Sequence, residues 1–269
     1  MVEKKKINTE VIGNLAADLA EKAGEILLTY FGQRLRTESK QGIGNITTEA
    51  DKESERVIVE GIRERFPKHS ILGEESTSVK KDSSFLWSID PLDGTLPFNN
   101  GLPWFAVSIG VLEESEPVAG AVFIPFGLFG EKEMYTAVKG EGAFLNRKKI
   151  TVNEKSDLKD AIVGFDYAYT ERERRIQAIL LKVAPKVRGT ITLQWAVGPL
   201  CWIARGLLDG YVHQNMQHWD IAAASLIIKE AGGDVTDLSG KPIVWKEGKI
   251  FDYCASNGRI HDKLLSAVN

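Results

Sequence analysis

Cysteine is scarce in this chain: Cys201 and Cys254 are the only two among 269 residues, and no Cys-x-x-Cys pair occurs. Two thiols make no disulfide framework, and the missing pair argues against a structural zinc site. Cys201 lies in an apolar run and reads as a core thiol, because free Cys behaves as a small hydrophobe. No run of about 18 apolar residues occurs, so no membrane-spanning helix is expected. Residues 1–10 are basic and then polar. They lack the apolar stretch of a secretory signal, which makes the cytoplasm the expected location. A basic excess is also missing. The 34 Lys and Arg stand against 37 Asp and Glu, a net charge of −3, so neither nucleic acid nor a membrane is expected as a partner. There is no internal repeat and no low-complexity segment. No Ser-His-Asp or Cys-His arrangement offers a protein nucleophile, and no Asp-x-Asp-x-Asp-Gly calcium loop is present.

What remains is an ordinary globular composition, 43% hydrophobic and 26% charged, long enough for one large domain or two closely packed lobes meeting near residue 150. Helical spacing of Leu15, Leu19, Ala23, Ile26, Leu27 and Phe31 predicts an amphipathic helix over 10–31, capped by Gly32. Residues 33–45, with Gly42 and Gly44, read as a mobile hairpin or loop. Thr48 followed by Asp51 resembles a capping signal for a second helix that Pro67 stops. Strands are expected at 70–72, 85–89, 105–112, 118–124, 133–137, 143–145 and 161–165, with a short one at 211–213. Helices are expected at 171–183, 200–208 (ended by Asp209-Gly210) and 220–231. Two helices, then a run of strands, then alternation indicate a layered α/β or α+β architecture.

Acidic residues collect at the edges of these elements. Asp51 lies at a helix start. Glu74 and Glu75 follow a short strand. Asp90 and Asp93 flank Pro91-Leu92 where an apolar strand is expected to end, and Asp220 precedes a helix. Two aspartates three residues apart repel each other unless a cation sits between them. Oxygen donors of this kind suit Mg²⁺ or Mn²⁺, and the Leu92 carbonyl can add another. Gly94 lets the backbone approach a ligand closely, and the amides of Gly94 and Thr95 can hold a phosphate if a helix starts there. Taken singly, each feature also has a plain structural explanation: an Asp-Gly turn, a solvated glutamate pair, and N-caps at Asp51 and Asp220.

The combination is more specific. Gly73-Glu74-Glu75, Trp87-Ser88-Ile89-Asp90-Pro91-Leu92-Asp93-Gly94-Thr95, and Trp219-Asp220-Ile221-Ala222-Ala223-Ala224 with Glu230-Ala231-Gly232-Gly233 resemble, in order and spacing, the three signature segments of the inositol monophosphatase family. Residues 105–110 and 140–144 resemble its connecting strands, so the resemblance extends over most of the chain. It implies a layered αβαβα sandwich of the sugar-phosphatase type, a homodimer, and two or three bound Mg²⁺ ions, with Mn²⁺ as the alternative. By matching position, Glu74, Asp90 and the Leu92 carbonyl would hold the first ion, and Asp90, Asp93 and Asp220 the second. Asp51 and Thr95 would orient the attacking water beside Glu74, with Glu75 near a third, weaker ion. The substrate would rest on Leu92, Asp93, Gly94, Thr95 and Asp220. The first lobe, 1–150, would then carry the metal and phosphate motifs. The second, 151–269, would carry the substrate pocket and the last ligand. The implied activity is Mg²⁺-dependent hydrolysis of a small phosphate monoester, inositol monophosphate or a sugar phosphate such as fructose 1,6-bisphosphate. Histidinol phosphate, a nucleotide 3′-phosphate, or a catalytically weak regulator that binds metal or ligand are the alternatives.

The departures concern the pocket. Where the family carries glycine, serine or threonine, then alanine beside the substrate ring, this chain reads Gln194-Trp195-Ala196. Trp195 narrows the pocket, stacks on a ring, or belongs to the core. His213 stands where inositol-specific members carry an acid. Asn45 replaces an aspartate ahead of Asp51. His218, beside Trp219, reads as packing or a hydrogen bond to the loop. Arg172, Arg174 and Arg175 form either a solvated face or an attraction for a second phosphate.

Overall fold

The computed structural model describes residues 9–39, 46–75, 77–167, 170–246 and 248–269. Helix α1 (Thr9–Tyr30) buries Ile12, Ala16, Leu19, Ala23 and Leu27, one stripe of its surface. It stops at Gly32, whose φ of +80° is the left-handed conformation of a helix C-terminus. Strand β1 (Thr37–Ser39) pairs antiparallel with β2 (Ile46–Thr48). Between them, the expected loop positions Gly42, Gly44 and Asn45 lie outside the described residues. Helix α2 (Glu49–Arg65) begins with the capping box that Thr48 and Asp51 announce in the sequence.

Next comes an eight-stranded sheet: β3 (Ser70–Gly73), β4 (Ser78–Val79), β5 (Phe85–Asp93), β6 (Ala106–Glu113), β7 (Glu116–Ile124), β8 (Glu133–Val138), β9 (Gly142–Leu145) and β10 (Lys148–Ile150), in the order β10-β9-β8-β7-β6-β5-β3-β4. Only the β3–β5 pair is parallel among these neighbours. The short helix α3 (Thr95–Asn99) follows β5. The second sheet has five strands, β11 (Ile162–Phe165), β12 (Gly189–Ile191), β13 (Gly210–Met216), β14 (Asp234–Asp237) and β15 (Phe251–Ser256), in the order β12-β11-β13-β15-β14. Five further helices complete the described chain: α4 (Arg172–Arg175), α5 (Leu181–Val183), α6 (Val197–Ala204), α7 (His218–Glu230) and α8 (His261–Val268).

These elements form five layers. Helices α1 and α2 bury their apolar stripes on one face of the large sheet. Helices α6 and α7 fill the space between the two sheets, and α7 is apolar nearly all round, with Ile221 to Ala224 fully buried. That is the pattern of a helix with sheet on both sides. Helices α5 and α8 cover the outer face of the second sheet. The architecture is the expected αβαβα sandwich. Both cysteines are buried and unbonded. Among the described residues no helix is long and apolar enough to cross a membrane.

Three boundaries differ from the sequence reading. Strand β5 does not end at Asp90-Pro91 but runs on to Asp93, with a register shift against β6 between Asp90 and Asp93. A bulge accommodates Pro91, which has no N–H for the ladder. The helix expected at 200–208 starts earlier, at Val197, and ends before Gly206 (φ +78°). Asp209-Gly210 opens β13 instead. The helix expected over 171–183 is interrupted by a π-turn at Ile176–Leu180.

Candidate functional site

The bulged end of β5 is the centre of a cleft of about 520 Å³. Asp90 is buried there, and its Oδ1 accepts the Leu92 amide proton at 3.0 Å. Gly94 turns the chain at φ +87°. A Cβ there would stand 2.4 Å from the Trp104 carbonyl oxygen, so only glycine fits. Phe98 of α3 packs on Phe31 and Phe105, with ring centroids 5.5 and 4.8 Å away, and anchors the turn. Thr95 Oγ1 stands 3.0 Å from the Leu92 carbonyl oxygen and 3.2 Å from Asp51 Oδ1, so its one proton can serve either. Asp51 Oδ2 accepts from the Thr48 amide at 2.8 Å and the Thr48 hydroxyl at 2.5 Å, which fixes the carboxylate at the base of α2.

The other carboxylates arrive from separate elements. Glu74 lies just past β3 and lines the cleft. Glu75 is turned toward β2, where the Thr47 hydroxyl donates to its Oε2 at 2.6 Å. Asp220 sits in the first turn of α7 and caps it, accepting from the Gln217 amide at 2.6 Å. Glu74, Asp90, Asp93, Asp166 and Asp220 all line the cleft, and no Lys or Arg does so among the described residues.

Burial and crowding show in the acidities. Asp90 is held well above the usual carboxylate range by burial and by the charges of Glu74, Asp93 and Asp220. Burial pushes Asp93 up to about 7 against the amides of Val197 and Ala196, which pull it down. Asp51 also rises to about 7 through burial, with Thr48 opposing and Glu75 and Glu74 adding. Hard oxygen donors that repel one another in a pocket without a cationic side chain fit a divalent cation. Among the described residues, no three His, Cys, Asp or Glu side chains are already gathered to hold an ion.

The opposite wall is the segment of Gln194, Trp195 and Ala196. Asp166 Oδ1 accepts from the Leu193 and Gln194 amides at 3.1 and 2.8 Å, and Tyr211 donates to Oδ2 at 3.2 Å. Gln194 adopts φ +53°, a left-handed conformation that disfavours a side chain. Trp195 is only 2% exposed. Its indole packs on Gly198 and meets Trp202 edge-on at 5.6 Å. It is therefore both core and pocket wall. His213 lines the cleft, stacked on Tyr211, and burial together with Arg175 lowers its pKa to about 3, so the ring is neutral. The arginines of α4 do not line the cleft. Arg174 and Arg175 pair with Glu171, and Arg172 lies over the Tyr167 ring. His218 is buried and shares a hydrogen bond with Ser88 at 2.9 Å.

Comparison with known proteins shows the family. The family model described as the inositol monophosphatase family matches residues 8–269. The chain belongs to the inositol monophosphatase family. It is 36% identical over 260 residues to a fructose-1,6-bisphosphatase/inositol-1-monophosphatase of Thermotoga maritima, covering 93% of each chain. It is 34% identical to the Nus factor SuhB of Haemophilus influenzae, over 95% of this chain and 94% of that one. The crystal structure of the extragenic suppressor protein SuhB from Bartonella henselae superposes with a TM-score of 0.89 at 31% identity, over 96% of this chain and 98% of that one. Membership places the chain among phosphoric monoester hydrolases.

Of the site residues expected from the sequence, Glu74, Asp90, Leu92, Asp93, Gly94, Thr95, Trp195, Ala196, His213 and Asp220 all line the one cleft, and Asp51 reaches it through Thr95. Asp166 was not anticipated. A lone aspartate after a strand gives no sign that it will receive the amides of a segment almost thirty residues on. Ser54 and Glu55 also went unread, although polar residues on the apolar side of an amphipathic helix were a visible signal.

Proposed function

We propose that this chain hydrolyses a small phosphate monoester with the help of bound divalent cations, Mg²⁺ first among them and Mn²⁺ second. The observation that carries the reading is the five carboxylates lining a cleft in which, among the described residues, no Lys or Arg takes part. A phosphate dianion approaching such a pocket is repelled unless cations intervene. Glu74, Asp90 and the Leu92 carbonyl would hold one ion, and Asp90, Asp93 and Asp220 another. Bound there, the ions supply charge neutralisation and a water acidified near neutral pH.

The chain's own groups then have defined work. The amides of Gly94 and Thr95, at the glycine turn, donate to the phosphate oxygens. Thr95 Oγ1 orients the attacking water and takes up its proton while passing its own to Asp51, 3.2 Å from that hydroxyl. Asp220 stands on the leaving-group side. Asp93 would help hold the second ion and anchors the opposite wall through the Val197 amide. In this division the part before residue 150 supplies most ligands, and the rest supplies Asp220 and the wall.

The substrate is proposed to be inositol monophosphate or a sugar phosphate such as fructose 1,6-bisphosphate. Support comes from the name of the Thermotoga relative and from a wall of neutral groups, Gln194, Trp195 and His213, which leaves room for hydroxyls. Phosphate release from inositol 1-phosphate, fructose 1,6-bisphosphate, histidinol phosphate and adenosine 3′,5′-bisphosphate tests the reading. Strongest turnover of either of the first two is expected. Exclusive turnover of either of the last two would reassign the substrate.

A further inference from the structure

Helix α2 carries a polar row on the face it buries. Asp51, Ser54 and Glu55 follow at i, i+3 and i+4, which places them side by side. The apolar Ile58, Val59 and Ile62 continue the same buried face. Ser54 is fully buried and Glu55 is 3% exposed. Such groups are costly to bury unless they are bonded, and both are bonded to the segments that carry the cleft carboxylates. Ser54 Oγ donates to the Pro91 carbonyl oxygen at 2.8 Å, in the middle of the β5 bulge. Glu55 Oε2 accepts the Glu75 amide proton at 2.9 Å. Its Oε1 accepts the Thr77 amide at 3.0 Å and the Thr77 hydroxyl at 2.7 Å. The carboxylate also lies directly against Gly73, where a Cβ would stand 2.5 Å from Oε2.

We propose that Glu55, assisted by Ser54, is a positioning residue. One rigid helix holds the Glu74-Glu75 segment and the Asp90–Asp93 bulge at the separation needed for Glu74 and Asp90 to share a cation. The inference rests on the metal reading above and adds the part of the chain that sets the spacing. A carboxylate suits the task because it is acceptor-only. Its two oxygens take donors from Glu75 and Thr77, with no donor of its own to misalign. A glutamine would point its NH₂ at one of those N–H groups. Gly73 is explained by the same contact, since any side chain there would push the helix and the loop apart.

The test is a Mg²⁺ titration of full-length wild type, Glu55→Gln, Ser54→Ala and Glu53→Gln. It is read as the Mg²⁺-induced rise in melting temperature without substrate, and separately as turnover. Glu53 is the control: it lies on the same helix, paired with Arg56 at the surface. Groups that orient ligands from outside the coordination sphere change metal affinity about 10–100-fold. Glu55→Gln is therefore expected to raise the half-saturating Mg²⁺ concentration by about tenfold or more in both readouts, with kcat at saturating Mg²⁺ within about threefold of wild type. Ser54→Ala should move it in the same direction by less, and Glu53→Gln not at all. A Glu55→Gln protein that melts lower yet binds Mg²⁺ as wild type does would overturn the proposal, because its role would then be structural only. If that variant does not fold, an unchanged Mg²⁺ dependence in Ser54→Ala overturns it. A wild type that responds to Mg²⁺ in neither readout removes the metal reading itself, and the proposal with it.

Discussion

Asp93 Oδ2 accepts the Val197 amide proton at 2.6 Å. This bond joins the last residue of β5 to the first turn of α6, so the strand bearing the cleft carboxylates and the wall bearing Trp195 are one unit. It also shows how the half-buried Asp93 carboxylate is satisfied. The amides of Val197 and Ala196 offset part of the cost of burying its charge.

Asp93→Asn removes the charge and keeps an oxygen for the Val197 amide. Turnover is expected to fall by about 100-fold or more, with the melting temperature little changed, because the loss is in cation binding and not in packing. Parallel phosphate-release and thermal-melt measurements check this. Full activity in the variant would remove Asp93 from the metal site.

Much of the site was legible because its chemistry is local. Asp90-Pro91-Leu92-Asp93-Gly94-Thr95 needs its residue types in that order to bend the strand and present two carboxylates. The Thr48–Asp51 capping box is equally short-range. What escaped was long-range or backbone-mediated. Asp166 acts on amides 27 and 28 residues away, and Glu55 acts on amides 20 and 22 residues away, so neither leaves a motif. The end of β5 differs from expectation because Pro91 reads as a strand terminator, whereas a bulge absorbs it. The strands β10, β12, β14 and β15 and the helix α8 lie outside the elements that the sequence pattern predicts. β10 and β12 are only three residues each, too short for periodicity to register.

Trp195→Ala tests whether the indole is part of the core. A fully buried aromatic replaced by alanine costs about 3–5 kcal/mol, and Trp195 at 2% exposure is expected to fall in that range by urea unfolding. A loss below about 1 kcal/mol would mean the ring can leave its site at little cost, unlike a well-packed core residue.

Gln194 holds a left-handed backbone, at φ +53°. Gln194→Gly is expected to leave stability within about 1 kcal/mol of wild type. Gln194→Val should cost about 1–2 kcal/mol, since a left-handed residue with a β-branched side chain is penalised. Equal stability of the two variants would contradict the strain assignment.

His213 gives a pH signature. Its pKa in the folded chain, about 3, lies below the ordinary histidine value of about 6.5. The unfolded chain therefore takes up a proton first as pH falls. The stability that neutral His213 contributes is complete above about pH 6.5 and is lost as pH drops toward 3. Urea unfolding from pH 7 to 4 should show a shallower decline for His213→Asn than for wild type, by up to one proton in slope. Parallel curves for the two proteins would contradict it.

On the proposed mechanism the five cleft carboxylates, with no Lys or Arg lining the cleft among the described residues, work through bound divalent cations. Its most direct test strips the protein with EDTA and follows phosphate release from inositol 1-phosphate and fructose 1,6-bisphosphate as Mg²⁺ is returned. No turnover is expected in the stripped protein, and full recovery with Mg²⁺. Turnover that persists in excess EDTA would contradict it.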